Sequence, residues 1–175
     1  MTNPVLDAIF QRRSVRNFQS RSIEQEKLAI IADAARFAPS GRNLQTWQFT
    51  VVQNKDALCE LAGVICRALD LDPASYNFYG ADTLIIASNH RESRHAVEDC
   101  ACALENMFLA AWSLGIGSVW INQLKGLCDL PEVRDLLTRL QLPQDHLVWG
   151  MAALGYPTSS PSPVVKREDV IKWIL

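Results

Sequence analysis

The longest helical pattern in the chain, RHAVEDCACALENMFLAAWSL at residues 94–114, is apolar on most of its sides. A helix with one apolar stripe can lie on a surface, but one that is apolar nearly all round has to be enclosed. The apolar stretch from Cys100 to Ile121 contains Glu105 and Asn106 and runs into glycines, so it reads as a buried helix and not as a membrane span. The segment is therefore a central helix, closed by Gly115 as its C-cap. The rest of the chain has to pack around it.

The chain is long enough to do so. Its 175 residues suit one domain, residues 1–175, able to bury roughly 70% of the surface that the unfolded chain exposes. Hydrophobic residues make up 49% and charged residues 21%, which is a globular balance. A net charge of -2 argues against holding nucleic acid by bulk electrostatics. The positive charge is local: Arg12, Arg13, Arg16 and Arg21 face only Asp7 within residues 1–21. Five cysteines, an odd number without metal-knuckle spacing, read as free thiols in a reducing compartment. The N-terminus lacks the apolar core of a signal peptide. The expectation is a cytoplasmic protein without membrane association.

Asn3 before Pro4 marks a helix start, and Val5, Leu6, Ile9 and Phe10 then recur on one face. Ser22 and Gln25 have the form of a capping box for a second helix ending near Phe37. PSGRNLQTW, 39–47, is a polar loop, and WQFTVVQ, 47–53, reads as a strand. Asn54 caps a third helix to about Leu71; a loop covers 72–80; TLIIAS, 83–88, reads as a buried strand. After the central helix come a strand at 118–124, a helix from Pro131 to about Leu140 and a strand at 146–157. The polar linker TSSPSP leads to a tail whose Val170, Ile171, Trp173, Ile174 and Leu175 need burial, for which a second copy of the chain is one source.

The densest chemical feature is DAIFQRRSVRNF, which sets Arg12, Arg13, Ser14 and Arg16 into five positions. Arginine forks match phosphate, and a serine hydroxyl can add to them. Taken alone, this is either an anion clamp or a solvated basic turn. Ser40, Arg42, Asn43, Gln45 and Thr46 crowd one short loop that could meet a planar polar ligand, although a helix stop plus turn is the plainer reading. GIG at 115–117 follows a helix and lacks a third glycine, which excludes a Rossmann site. A P-loop, a G-x-S-x-G elbow and a metal-spaced cluster are absent from the sequence. His90, His95 and His146 are dispersed, Cys100 and Cys102 read as buried small residues, and Asp99 and Glu105 as packing or capping groups that could alternatively be a general acid or base. Lys166 and Arg167 matter only if the fold carries them to Arg12–Arg16.

Four segments together resemble the FMN-dependent nitroreductase family: RRSVRNF, APSGRNLQTWQF, LAAWSLGIGSVWI, and ALGYP followed by a basic pair. The resemblance covers nearly the whole chain in order. It implies an α+β fold, a three-layer α/β/α sandwich with a central, mainly antiparallel sheet, and a homodimer in which the tail, 158–175, reaches the partner subunit. It implies FMN contacts from Arg12, Arg13, Ser14 and Arg16, with Lys166 or Arg167 on the phosphate. Pro39, Ser40, Gly41 and Asn43 would meet the flavin from the other subunit. Ile121, Asn122 and Gln123 would lie along the ring, and Asn77 is a further ring candidate. Thr46 stands where the family has proline, and Asn122 and Gln123 where many members have glycine.

The resemblance further implies NADH or NADPH as donor, flavin-mediated hydride transfer in a ping-pong cycle, and a small acceptor such as a nitroaromatic or a quinone. No side chain need be catalytic, since the flavin carries the chemistry. The rivals are dehalogenation or dehydrogenation on the same fold, a flavin-binding module without turnover, and nucleic-acid binding by the basic N-terminus.

Overall fold

The structure, a computed structural model, describes residues 3–160, 166 and 168–175. Helix α1, Pro4–Gln11, starts as the sequence predicts: the Asn3 side chain accepts the Val5 and Leu6 amides, with Pro4 in the first turn. Helix α2, Gln25–Ala35, does not use the expected capping box. Its N-cap is Glu24, in extended backbone and without a side-chain cap, because Asp82 takes the preceding Ile23 amide at 3.0 Å. Strand β1, Trp47–Val52, leads into α3, Lys55–Leu69, where Asn54 caps the Ala57 amide. The rest follow in order: β2, Thr83–His90; α4, Ala96–Ser113; β3, Gly117–Ile121; α5, Pro131–Arg139; β4, His146–Gly155.

The four strands form one sheet in the order β1-β2-β4-β3, with every pairing antiparallel. β2 is buried on both faces, which is why it reads as a continuous apolar run. Leu84 and Ile86 join a core under α3 and α5, while Ile85 and Ala87 join a second core under α2 and α4. β4 divides likewise, with Met151 and Ala153 on one side and Ala152 and Leu154 on the other. The result is the α/β/α sandwich. α4 lies against α2 and the sheet, burying Cys100, Ala103, Leu104, Met107, Phe108 and Ala111. The pairing of Ala87 with Gly150 and of Ser88 with Val148 leaves Trp149 as the extra residue of a β-bulge. At Gly150 the helix comes so close that a Cβ would lie 2.7 Å from the Trp120 ring and 2.8 Å from Leu104.

Two predicted strands are shorter than expected. β3 stops at Ile121, where a turn closed by the Lys125 amide on the Asn122 carbonyl begins. β4 stops at Gly155, because Tyr156 and Pro157 pair instead with Phe18 and Gln19. The apolar face of α1 contributes no buried residue: Val5, Leu6, Ile9 and Phe10 stay exposed. The tail residues Val170, Ile171, Trp173, Ile174 and Leu175 are exposed too. Neither set is covered by the described residues of the protomer.

Candidate flavin site

The arginine segment leaves α1 and is tied directly to the sheet. Ser14 bridges to Ser118 in parallel, and the Val15 amide donates to the Ser118 carbonyl at 2.9 Å. This approach requires Gly117, since a Cβ there would lie 2.9 Å from the Val15 side chain. The segment is thus fastened along edge strand β3. Arg12 lies 5.8 Å from the centre of the Phe108 ring, with its Nε 3.3 Å from Glu105 Oε1. Glu105, weighed as a possible acid or base, therefore serves as a charge partner of Arg12. Arg13 donates one Nη to the carbonyls of Phe10 and Arg12. Arg16 lies 5.9 Å from the Tyr79 ring, which draws the Asn77 loop toward the cluster. Lys166 comes to the same place, with Nζ 5.0 Å from the Phe10 ring centre. Arg167 lies outside the described residues.

Two donors in this cluster are left over. Arg12 Nε and Arg13 Nε are buried and donate to no acceptor among the described residues; Glu105 is near Arg12 Nε but misaligned for a hydrogen bond. Buried guanidinium N–H groups without an acceptor are costly, and an anion is the group that would satisfy them. The donor set therefore fits a phosphate-bearing ligand.

Next to the cluster, the outer strand offers an aromatic surface. Trp120 is 39% exposed, with its ring 6.2 Å from that of Phe108. The sequence motifs contained Trp120 without singling it out, because nothing in a five-residue strand reveals which side stays open. The Ile121 side chain is buried in the α3–α5 core, so only its backbone can face a ligand. Asn122 is exposed, its amide donating to Gln123 Oε1 at 3.1 Å.

The Pro39–Thr46 loop sits elsewhere, at the start of α4. The Gly41 amide donates to the buried Asp99 carboxylate at 2.8 Å. Ser40 Oγ accepts the Gln45 amide, Asn43 Oδ1 accepts from the Gln45 side chain, and Thr46 Oγ1 donates to Asn89. Arg42, Asn43 and Gln45 all have left-handed φ, of 54°, 56° and 50°. Asp99 and Glu105 are six residues apart on α4, about 9 Å at 1.5 Å per residue. One protomer therefore keeps the loop and the arginine cluster at separate stations of the same helix.

Asn77 lines a different space, a cavity of about 500 Å³ between α3, residues 19–22 and the 73–82 loop, to which no arginine of the cluster contributes. The buried Cys100 thiol is pushed up to about 12 by burial and is therefore unreactive at neutral pH. Among the described residues, no cluster of His, Cys, Asp and Glu could hold a metal ion, and no helix is long and apolar enough to cross a membrane.

Comparison with known proteins agrees with this fold. The profile of the Nitroreductase family matches residues 9–156, from the end of α1 to just past β4. A protein of Archaeoglobus fulgidus, named as a candidate NADH dehydrogenase/NAD(P)H nitroreductase, is 33% identical over 156 residues, covering 87% of this chain and 84% of its own length. A crystal structure of a nitroreductase with bound FMN from Bacteroides fragilis superposes with a TM-score of 0.94 at 42% identity, covering 99% of this chain and 100% of that one. A second FMN-bound nitroreductase, from Desulfitobacterium hafniense, gives 0.89 at 29% identity over the full length of both chains. With the family's profile matching most of the chain, a relative 33% identical over most of both lengths and the antiparallel sandwich shared with these structures, the chain belongs to the nitroreductase family.

Proposed function

We propose that the protein is an FMN-dependent NAD(P)H oxidoreductase acting as a homodimer, with residues 1–175 forming one flavin-binding domain. The observation that carries this reading is the cluster of Arg12, Arg13 and Arg16 in a segment fastened to edge strand β3, where the Nε groups of Arg12 and Arg13 make no hydrogen bond among the described residues. Bound FMN would supply the redox chemistry, taking a hydride from NADH or NADPH at N5 and passing electrons to a small acceptor such as a nitroaromatic or a quinone.

The chain's own residues bind and orient. Arg12, Arg13, Ser14 and Arg16, with Lys166 or Arg167, hold the phosphate and the polar edge of the ring. Their positive charge favours an anionic reduced ring. Trp120 and the backbone of Ile121, Asn122 and Gln123 provide the flat wall and an N–H donor toward the ring. Asn77 is the weaker ring candidate: it lines the separate cavity, and its link to the cluster is its neighbour Tyr79, 5.9 Å from Arg16. Pro39, Ser40, Gly41 and Asn43 reach the same flavin from the partner subunit, which accounts for their distance from the arginines within one protomer. The exposed apolar residues of α1 and of the tail provide surface for such a dimer.

The test is the visible spectrum of the purified protein before and after anaerobic NADH, and then NADPH. A yellow protein that bleaches is expected, with colour returning on addition of a nitroaromatic or a quinone. A colourless protein that takes up no added FMN would overturn the reading.

A further inference from the structure

Asp99 lies in the first turn of α4 and is 4% exposed. A carboxylate at such a place commonly serves the free amides of its own helix. Here its Oδ1 instead accepts the Gly41 amide, 58 residues away in sequence, at 2.8 Å. On the same glycine the His95 ring closes from α4's N-cap, so tightly that a Cβ on Gly41 would lie 2.3 Å from His95 Cδ2. The residues that follow, Arg42, Asn43 and Gln45, hold left-handed backbone without being glycine. Such backbone persists only where the surroundings over-determine it. Thr46 brings none of the φ restriction that a proline would give. The loop's shape therefore depends on its anchors, and the carboxylate of Asp99 is the charged one.

We propose that Asp99 is a positioning residue for the cofactor, fixing the Ser40–Gly41 backbone for the flavin held by the partner subunit. The inference rests on the reading above, in which this loop meets FMN across the dimer. It adds a role for α4. One rigid helix carries Asp99, which sets the loop for the partner's flavin, and Glu105, which pairs with Arg12 in the protomer's own cluster, so a single element serves both sites of the dimer. Asp99 touches no ligand; it acts through Gly41.

The experiment uses the full-length protein stripped of flavin and titrated with FMN, reading the dissociation constant from fluorescence quenching. Visible circular dichroism of the bound flavin and the melting temperature of the flavin-free protein are recorded alongside. Asp99→Ala removes the acceptor; Asp99→Asn keeps an oxygen there. Loss of a charge-assisted hydrogen bond is worth roughly tenfold or more, so Asp99→Ala should weaken FMN binding by about tenfold and alter the flavin's dichroism. Asp99→Asn, which keeps a neutral acceptor for the Gly41 amide, should lose clearly less affinity than Asp99→Ala. A purely structural role would lower the melting temperature of Asp99→Ala and leave the dissociation constant and dichroism at wild-type values; that result overturns the proposal, as does an Asn variant that loses as much as Ala. If Asp99→Ala does not fold, the opposite anchor decides. Gly41→Ala should weaken FMN binding, and adding His95→Ala should restore it by reopening the space; wild-type binding by Gly41→Ala, or no restoration, overturns the proposal. Wild-type protein that takes up no FMN defeats the proposed function and this inference together, whereas wild type that binds with Asp99→Ala unchanged defeats the inference alone.

Discussion

At the scale of single residues, the arginine cluster gives the most direct prediction. If Arg12 and Arg16 each make a charged hydrogen bond to FMN, Arg12→Ala and Arg16→Ala should each weaken binding by roughly 1.5–3 kcal/mol. Equilibrium titration checks this, and unchanged affinity in both variants would remove the clamp assignment. A second prediction concerns His146, whose pKa burial pushes below the ordinary histidine value, with His90 and Arg134 adding to the effect and Asp145 opposing it; its Nδ1 lies 3.1 Å from Ser88 Oγ. Because the folded protein resists protonating this ring, the unfolded chain binds more protons around its own pKa, so stability rises with pH. The contribution should be complete above the unfolded value of about 6.5 and lost as pH falls from there toward the folded pKa. Melting temperatures from pH 8 to pH 5 should fall less steeply in His146→Asn, which keeps a polar atom beside Ser88; parallel curves would dismiss the idea. These two residues also show what the sequence could reveal. Arg12–Arg16 were legible because charge and composition concentrate there. The role of Asp99 was not, because its partner Gly41 lies 58 residues away and a buried aspartate in a helix reads the same whether it caps, packs or reaches across.

At the scale of elements, every helix and strand existed where the apolar period and the caps indicated, and the misses lay at the ends. Asn3 and Asn54 made their helix starts legible because each cap is a local contact. Ser22 misled because a distant carboxylate, Asp82, competed for the local backbone. β4 ended early because Phe18 supplies a pairing that no local pattern contains. The junction of β4 with α4 yields a prediction of its own. Gly150 admits both Leu104 and Trp120, and a methyl group there would stand 2.7–2.9 Å from them. Overpacking of this kind costs about 1–3 kcal/mol. Gly150→Ala should lower the urea midpoint accordingly and, by displacing Trp120 on the open side of β3, weaken flavin binding as well. A variant with the wild-type midpoint would mean that the ring and the helix yield freely.

At the scale of the whole molecule, the protomer is unfinished. Val170, Ile171, Trp173, Ile174 and Leu175 are between 64% and 111% exposed, and α1 presents a second apolar stripe with Phe10 at 53%. The sequence made the need for burial visible, since such residues rarely face water together, but it could not say whether the chain would cover them itself. The structure answers that part: within the protomer the described tail is not covered. In the dimer proposed above, the Pro39–Asn43 loop of one subunit meets the arginine cluster of the other, so the proposed dimer and the proposed site depend on each other. Ending the chain after Arg167 should therefore shift the protein toward monomer at micromolar concentration, as read by analytical ultracentrifugation, and weaken FMN binding in the same variant. Because the arginine cluster is intact in that variant, a loss of affinity that recovers as protein concentration rises would trace to the missing partner and not to damaged chemistry. A truncated protein that sediments and binds FMN as the full chain does would place the tail outside the interface, leaving the α1 stripe as the surface on which two copies meet.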